Sequence, residues 1–317
     1  MAIYLTIDGG TTNTRIYLVE NGKILDSVRF GIGSSGGKEN IERLKVAVKE
    51  GISELLRNNA KNEDQIERIL ASGMITSDGG LCSLPHLSAP CGLSELARAS
   101  YECEIPEISS IPFVFLRGVR TAKGDAPDMM RGEETELMGL CETVSEGALY
   151  VLPGSHTKLI QTDAEGRICK ISTELTGEML RALSEGTILR ESVTLGREFD
   201  EEFLLRGYRR AEERGLNAAL FGTRVLHRLE GASSLQTYSF FLGAVYEAEV
   251  KNILRSSVER IVIGGKPALQ KPLACLLRAG GALDVVEVSE ADADGATVKG
   301  AIKIYEKAKE CCDGKAV

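Results

Sequence analysis

The 317-residue chain has no CxxC pair among its eight cysteines (82, 91, 103, 141, 169, 275, 311 and 312), and its three histidines, His86, His156 and His227, stand far apart. Neither a zinc site nor a disulfide framework is expected from that usage, and the thiols read as reduced and mostly buried. No apolar run is long enough to span a membrane, and no charged-then-apolar leader opens the chain, so the expectation is a soluble, cytoplasmic protein with no membrane partner. A basic excess is also missing. Lys and Arg total 38 against 46 Asp and Glu, a net charge of −8, which offers nucleic acid no surface. GxxxxGK[ST] and a strand-associated GxGxxG do not occur, so neither a P-loop enzyme nor a dinucleotide-binding domain is supported.

What is present is a large apolar fraction, 43%, in a chain longer than the ~250–300 residues at which single cores stop growing. Two domains are expected, 1–143 and 144–317, with a closing helix over 293–307 packing back on the first. Ile3, Leu5 and Ile7 alternate with polar residues, break at DGGTTNTR (8–15), and resume as a strand over Ile16 to Glu20. Leu44, Val48, Ile52 and Leu55 then mark an amphipathic helix, RILASGM a strand, and Pro85, Pro90, Pro106 and Pro112 a loop-rich stretch before a strand over Phe113 to Leu116. At Gly132 loop changes to helix, with Glu133, Glu134 and Glu136 in the first turn and Leu137, Met138 and Cys141 as its apolar face. A second hairpin follows around LPGSHTK (152–158), then long helices, the strand and glycine turn IVIGGKPAL (261–269), a strand over Val285 to Val288 and a small-residue helix. Strands and helices mixed in this way give an α/β protein in which one plan, a hairpin with a polar tip plus helices, occurs twice without a sequence repeat.

The two hairpin tips set glycine beside hydroxyl side chains. Glycine lets backbone approach a ligand, and the N–H and hydroxyl groups can donate to phosphate oxygens. Turns of this composition are also ordinary hairpin chemistry, but two of them, each opening its own domain's hairpin, favour the binding reading. Asp8 ends the first strand and either accepts N–H bonds from its own turn or holds Mg²⁺ beside nucleotide phosphates. Gly264 and Gly265 either let a flat ring lie on the backbone or form a plain strand-to-helix turn.

Taken in order, DGGTTNTR, GEETELMG, PGSHTK, VIGGKPA and GATVKGAIKI resemble the first phosphate loop, first connecting helix, second phosphate loop, adenosine loop and second connecting helix of the acetate and sugar kinase, heat-shock chaperone and actin superfamily. That resemblance implies a two-domain actin-like ATPase (ribonuclease H-like) fold with an interdomain nucleotide cleft. More closely, MRGEETELMG, VLPGSHTKLI, STELTGEML and LASGMITSDGG with LPHLSAP resemble the signature segments of the 2-dehydro-3-deoxygalactonate kinase family. The family often carries a tryptophan in the first loop and another after the lysine of the second tip; this chain has Gly9 and Leu159 there and no tryptophan at all.

The resemblance implies ATP-dependent phosphorylation, with Mg²⁺, of the 6-hydroxyl of 2-dehydro-3-deoxy-D-galactonate. It places Gly10, Thr11, Thr12, Asn13, Gly154, Ser155, His156 and Thr157 on the phosphates, Asp8 on the metal, and Gly264 and Gly265 on the nucleotide. A carboxylate at the start of the first connecting helix serves as base, Glu133 or Glu134, although both also suit an ordinary helix start. Arg131 is placed on the substrate carboxylate or the developing phosphoryl charge. Arg15, Ser72, Gly73, Met74 and Lys158 are assigned to substrate, with Lys158 standing equally well as a strand-surface residue. Thr176-Gly177-Glu178 is a string of the family to which the sequence assigns no role, and helix capping by Thr176 accounts for much of it without function. An actin- or chaperone-like ATPase module and a kinase for another sugar are the alternatives. The helices between Thr173 and Leu229 exceed a minimal fold and suit a homodimer contact.

Overall fold

The computed structural model describes residues 2–122, 127–140 and 147–313. In chain order the elements are β1 (Ile3–Gly9), β2 (Thr14–Glu20), β3 (Lys23–Phe30), α1 (Lys38–Asn58), β4 (Arg68–Gly73), β5 (Leu87–Ser88), α2 (Leu93–Arg98), β6 (Tyr101–Ile105), β7 (Ser109–Phe115), β8 (Val119–Thr121), β9 (Asp128–Met130) and α3 (Glu133–Leu140). They continue as β10 (Leu149–Leu152), β11 (Thr157–Thr162), β12 (Ile168–Glu174), α4 (Thr176–Gly186), α5 (Glu201–Arg214), α6 (Leu216–Leu229), α7 (Ser234–Leu254), β13 (Arg260–Ile263), α8 (Pro267–Ala279), β14 (Asp284–Glu287) and α9 (Glu290–Asp313).

The chain divides into two compact units: Met1–Glu146 with Asp163–Ile171 and Asp294–Val317, and Gly147–Thr162 with Ser172–Ala293. The first unit is built on a six-stranded sheet, order β3-β2-β1-β4-β7-β6, and the second on a five-stranded sheet, order β12-β11-β10-β13-β14. Both sheets follow one scheme. An antiparallel meander leads, and two further strands add in parallel on the far side of its first strand, β4 and β7 in one case and β13 and β14 in the other. A hairpin tip therefore lies in each unit at the C-terminal end of the first strand, where open α/β sheets present ligand sites.

Each sheet has its own core. Leu5, Ile7, Ile16, Leu18, Ile69 and Phe113 pack with Leu44, Val48, Ile52 and Leu55 of α1 in the first unit. Val151, Ile261 and Ile263 pack with Phe241, Leu242, Val245 and Leu273 in the second. The α1 stripe is the one the i, i+3, i+4 spacing predicts.

Several elements escaped the sequence reading. β3 is an edge strand, mostly exposed, without the alternation that marked β1. The proline-punctuated stretch holds β5, α2 and β6, and a small sheet of β5, β8 and β9. These strands are short, and what creates them is pairing with distant partners rather than any local pattern. Pro112 lies inside β7 and is accommodated because the β6–β7 register shifts between Cys103 and Ile105, sparing the missing N–H. Cys141 lies outside the described residues; its companions Leu137 and Met138 are buried as expected. The cysteines at 82, 91, 103, 169, 275 and 311 are free.

Within the first unit α9 crosses α3 at very close range. A Cβ placed on Gly300 would stand 1.8 Å from the Thr135 carbonyl oxygen, and one on Gly139 1.9 Å from that of Ala296. Glycine at these points is a packing requirement, and it fixes how α3 presents its first turn.

Candidate active site

β1 ends in Asp8 and Gly9, whose Cα partners are Arg15 and Thr14 on β2 and Ser72 and Gly73 on β4. In-register neighbours share a face, so Asp8, Arg15 and Ser72 form one polar row across three strands. The tip beyond them is closed by the Gly10 N–H donating to the Asn13 carbonyl (2.8 Å) and is backed by the Ser34 N–H donating to the Gly10 carbonyl (3.0 Å). Thr11 and Thr12 stay exposed. The Asn13 amide donates to the Thr12 hydroxyl. Ser72 is buried and its hydroxyl has no hydrogen-bond partner. Gly73 takes φ +83° and touches the Gly9 carbonyl, a conformation and a contact that a side chain would forbid. Half-buried Met74 begins the short helical turn that follows.

The first turn of α3 brings three carboxyl groups to this region with different roles. Glu134 is fully buried and accepts the Gly132 N–H on both oxygens, at 2.9 Å each. Burial first, and then the charge of Glu133, push it up to about 8 against the pull of those N–H bonds and the Thr135 hydroxyl. Glu133 is half-buried and accepts the Arg131 N–H at 3.1 Å. Glu136, one turn on, is pushed up to about 8 by burial and by the charges of Glu133 and Asp8. Asp8 is itself raised by burial, an effect opposed by Arg15 and reinforced by Glu133. Asp8, Glu133 and Glu136 thus sense one another's charge. In the sequence Glu136 reads only as part of a helix start; its i+3 spacing from Glu133 is the available signal.

The Glu134 shift has a consequence for folding. A carboxyl whose folded value lies above its ordinary 4.5 contributes stability that is complete below the unfolded value and is lost as pH rises toward the folded one. The slope in that window is at most ~1.4 kcal/mol per pH unit. Urea midpoints should therefore fall between about pH 5 and pH 8, and fall less steeply in Glu134→Gln. Equal slopes in the two proteins would remove Glu134 as their source.

The Arg131 guanidinium donates to the Thr76 carbonyl and hydroxyl (2.6 Å each) and to the Leu84 carbonyl (3.0 Å), and lies 3.2 Å from His86 Nδ1. It braces the segment that follows β4, and the Thr76 hydroxyl in turn donates to the Gly73 carbonyl.

In the second unit the tip Gly154–Thr157 leaves β10 and enters β11. Ser155 and His156 are exposed, and His156 Nε2 sits 2.9 Å from a Glu178 oxygen. Thr157 is 1% exposed and Lys158 8%, with the Lys158 ammonium donating to the Thr173 hydroxyl (2.8 Å). Lys158 is therefore not a strand-surface residue. Gly264 donates its N–H to the Val151 carbonyl, and Gly265, at φ +77°, backs onto Pro153 at the root of the tip. α8 starts two residues later, at Pro267. Thr176 does not cap α4. The cap position is Leu175, without a side-chain bond, and the Thr176 hydroxyl donates instead to Glu249. A buried carboxyl offers that hydroxyl a stronger acceptor bond than its own helix start.

A sequence model of the family described as 2-keto-3-deoxy-galactonokinase matches residues 8–304, from Asp8 of the first tip through the crossing of α9. The chain belongs to that family. It is a phosphotransferase of the sugar-acid kinase kind and uses ATP. The chain is 26% identical over 257 residues to the 2-dehydro-3-deoxygalactonokinase of Escherichia coli (strain K12), covering 80% of each protein. It is 29% identical over 195 residues to DgoK1 of Rhizobium meliloti (strain 1021), named as a probable 2-dehydro-3-deoxygalactonokinase, covering 60% of this chain and 59% of that one. Among solved structures it is similar to a protein from Sinorhizobium meliloti assigned as a 2-dehydro-3-deoxygalactonokinase, with TM-score 0.77, 23% identity, and 95% and 97% of the two chains covered. It also matches the activator of 2-hydroxyisocaproyl-CoA dehydratase from Clostridium difficile with bound ADPNP, with TM-score 0.52, 13% identity, and 98% and 97% covered. These structural likenesses bear on the fold, α/β and actin-like. For this kinase, no helix among the described residues is long and apolar enough to cross a membrane.

Among the described residues no group of three or more His, Cys, Asp or Glu is arranged to hold a metal ion. A kinase Mg²⁺ needs no such cage, since it keeps waters and takes one or two carboxylates together with phosphate oxygens. The Glu133 charge that raises Asp8 is what a cation at the end of β1 would offset, so Asp8 fits one.

Proposed function

We propose that the chain transfers the γ-phosphoryl group of ATP to the 6-hydroxyl of 2-dehydro-3-deoxy-D-galactonate in the cytoplasm, with Mg²⁺ at Asp8. The observation that carries the reading is the first turn of α3: a half-buried Glu133, anchored by the Arg131 N–H, in electrostatic reach of Asp8 at the end of β1. Phosphoryl transfer asks the protein for positioning and charge neutralisation more than for covalent chemistry. Glu133 takes the hydroxyl proton, the freed oxygen bonds to the γ-phosphorus, and the bond to the β–γ bridging oxygen breaks to release ADP. When bound, Mg²⁺ supplies charge neutralisation at the phosphates.

The other roles follow from placement. Gly10, Thr11, Thr12 and Asn13 offer backbone and side-chain donors to phosphate oxygens from the first tip, and Gly154, Ser155 and His156 from the second. Thr157 contributes from beneath, since its side chain is buried. Gly264 and Gly265 give the nucleotide a surface without side chains. Arg15 and the unpartnered Ser72 hydroxyl face the sugar acid with Gly73 and Met74, and Arg131 holds that segment in shape. Lys158 acts from inside the second unit. Phe221 and Leu229 on α6, 61% and 81% exposed, support self-association through the helical face of the second unit.

A coupled ADP-release screen of sugar acids and neutral sugars with Mg-ATP tests the assignment. The deoxy-keto sugar acid is expected to give the highest kcat/KM. A neutral hexose or amino sugar outperforming every acid would sink the substrate assignment while leaving the kinase fold untouched.

A further inference from the structure

Family resemblance singled out Thr176-Gly177-Glu178, and the phosphoryl-transfer roles above leave it unused. In the structure these three residues meet the second tip one after another. Gly177 lies against the Gly154 carbonyl so closely that a Cβ would stand 2.0 Å from its oxygen. The Glu178 N–H donates to the Ser155 carbonyl at 2.9 Å, and the Glu178 carboxylate meets His156 at 2.9 Å. Thr176 donates to Glu249, a residue of α7 that is 1% exposed.

Glu249 is the unexpected member. It is a carboxyl on the buried side of a helix whose neighbours Tyr246, Val250 and Ile253 belong to the core. Burying a carboxyl is costly without partners. Burial pushes it up to about 7, the hydroxyls of Thr176 and Thr157 pull it back, and the Glu174 charge adds to the rise. Its second oxygen, Oε1, is buried with no hydrogen-bond partner. An aliphatic side chain would fill the same space at lower cost, so stability alone gives no reason for a carboxyl here. Its hydroxyl partner, however, adjoins the phosphate-binding segment: Thr176 begins the helix that lies against the tip.

We propose that Glu249 is a positioning residue for phosphoryl transfer, anchoring Thr176 so that the start of α4 holds the backbone of residues 154–156 in its phosphate-binding shape. The proposal rests on the phosphate-loop reading of that tip. Glu249 touches neither nucleotide nor sugar in this account. Its effect passes through the Thr176 hydroxyl, the Gly177–Gly154 contact and the Glu178 N–H. A loop so held is pre-organised, and displacements on the order of 1 Å at reacting groups cost about 100-fold in rate.

The test measures ADP affinity by calorimetry, together with kcat and KM for each substrate, in the full-length protein and five variants. Glu249→Met keeps the length and removes the acceptor; Thr176→Val removes the donor, and Thr176→Ser restores it. The expected result is a loss of about 10–100-fold in kcat/KM for ATP in Glu249→Met and Thr176→Val, with sugar-acid KM changed by less than about twofold, and near-complete recovery in Thr176→Ser. A purely structural role would change the melting temperature and leave the kinetics of the folded enzyme alone. Gly154→Ala separates this proposal from the loop reading beneath it, because its Cβ would meet only the His156 oxygen, at 3.6 Å, and so spares the fold. Weakened ADP binding in Gly154→Ala with wild-type kinetics in folded Glu249→Met overturns the clamp and keeps the loop. Unchanged binding in both overturns the two together. If Glu249→Met does not fold, the Thr176→Val and Thr176→Ser pair decides by the same thresholds. Glu178→Ala at the exposed end of the contact then serves as the surface check, expected to weaken ADP binding several-fold.

Discussion

Glu133→Gln is expected to bind ATP as the unaltered protein does and to turn over about 10²–10⁴ times more slowly, the range for loss of a general base. The amide keeps the reach of the side chain and can still accept the Arg131 N–H that holds Glu133 in place, so geometry is preserved and only basicity goes. Glu134→Gln is the matched control, since it removes a carboxyl from the same helix end. The structure separates the two in advance. Glu134 is fully buried, spends both oxygens on the Gly132 N–H, and is pushed up to about 8, so at neutral pH it is mostly the neutral acid, whose shape an amide copies. Glu136→Gln is the informative third arm, because that carboxyl also senses the Asp8 charge and is raised to about 8. Loss of turnover confined to Glu136→Gln would move the base one helical turn along α3. Full activity in all three would mean that α3 does not supply the base.

Asp8→Asn carries the second large expected effect: turnover down by several orders of magnitude, with the fold intact. Asp8 stands at the end of β1 between Arg15 and Ser72 in register, a half-buried carboxyl whose charge is disfavoured by desolvation and by Glu133 and favoured by Arg15. That environment disfavours the carboxylate in the apo protein, and a cation bound there would offset it. The substitution should also relax the apo protein, so a modest rise in its melting temperature is expected alongside the lost activity. The readout that isolates the metal is the Mg²⁺ dependence of nucleotide binding by calorimetry. Near-normal turnover with an unchanged Mg²⁺ requirement would remove Asp8 from the site.

Much of the frame was written locally. The alternation of Ile3, Leu5 and Ile7, the break at DGGTTNTR, the stripe of α1 and the glycine turn after Ile263 each follow from short-range periodicity and turn chemistry, and they fall where the residues predict. The ordered motifs bring the family within reach of the sequence itself, because backbone phosphate contacts need glycine and hydroxyl residues in contiguous strings. Short-range rules could not supply β3, β6 and the small sheet of β5, β8 and β9, because their stability comes from pairing with strands distant in sequence. The bulge that lets Pro112 sit inside β7 is of the same kind.

Side-chain roles divided along a similar line. That Glu133, Glu134 and Glu136 open a helix is local information, and a dipole argument treats the three alike. The tertiary structure alone makes them different: α9 presses on α3 through Gly300 and Gly139, Glu134 turns inward to Gly132, and the charge of Asp8, on a strand more than a hundred residues earlier, reaches Glu136. Arg131, Thr176 and Glu249 show the same division. Their residue types were visible from the start, but their partners come from separate elements, and a hydrogen bond or a desolvation cost exists only once folding has brought both sides together.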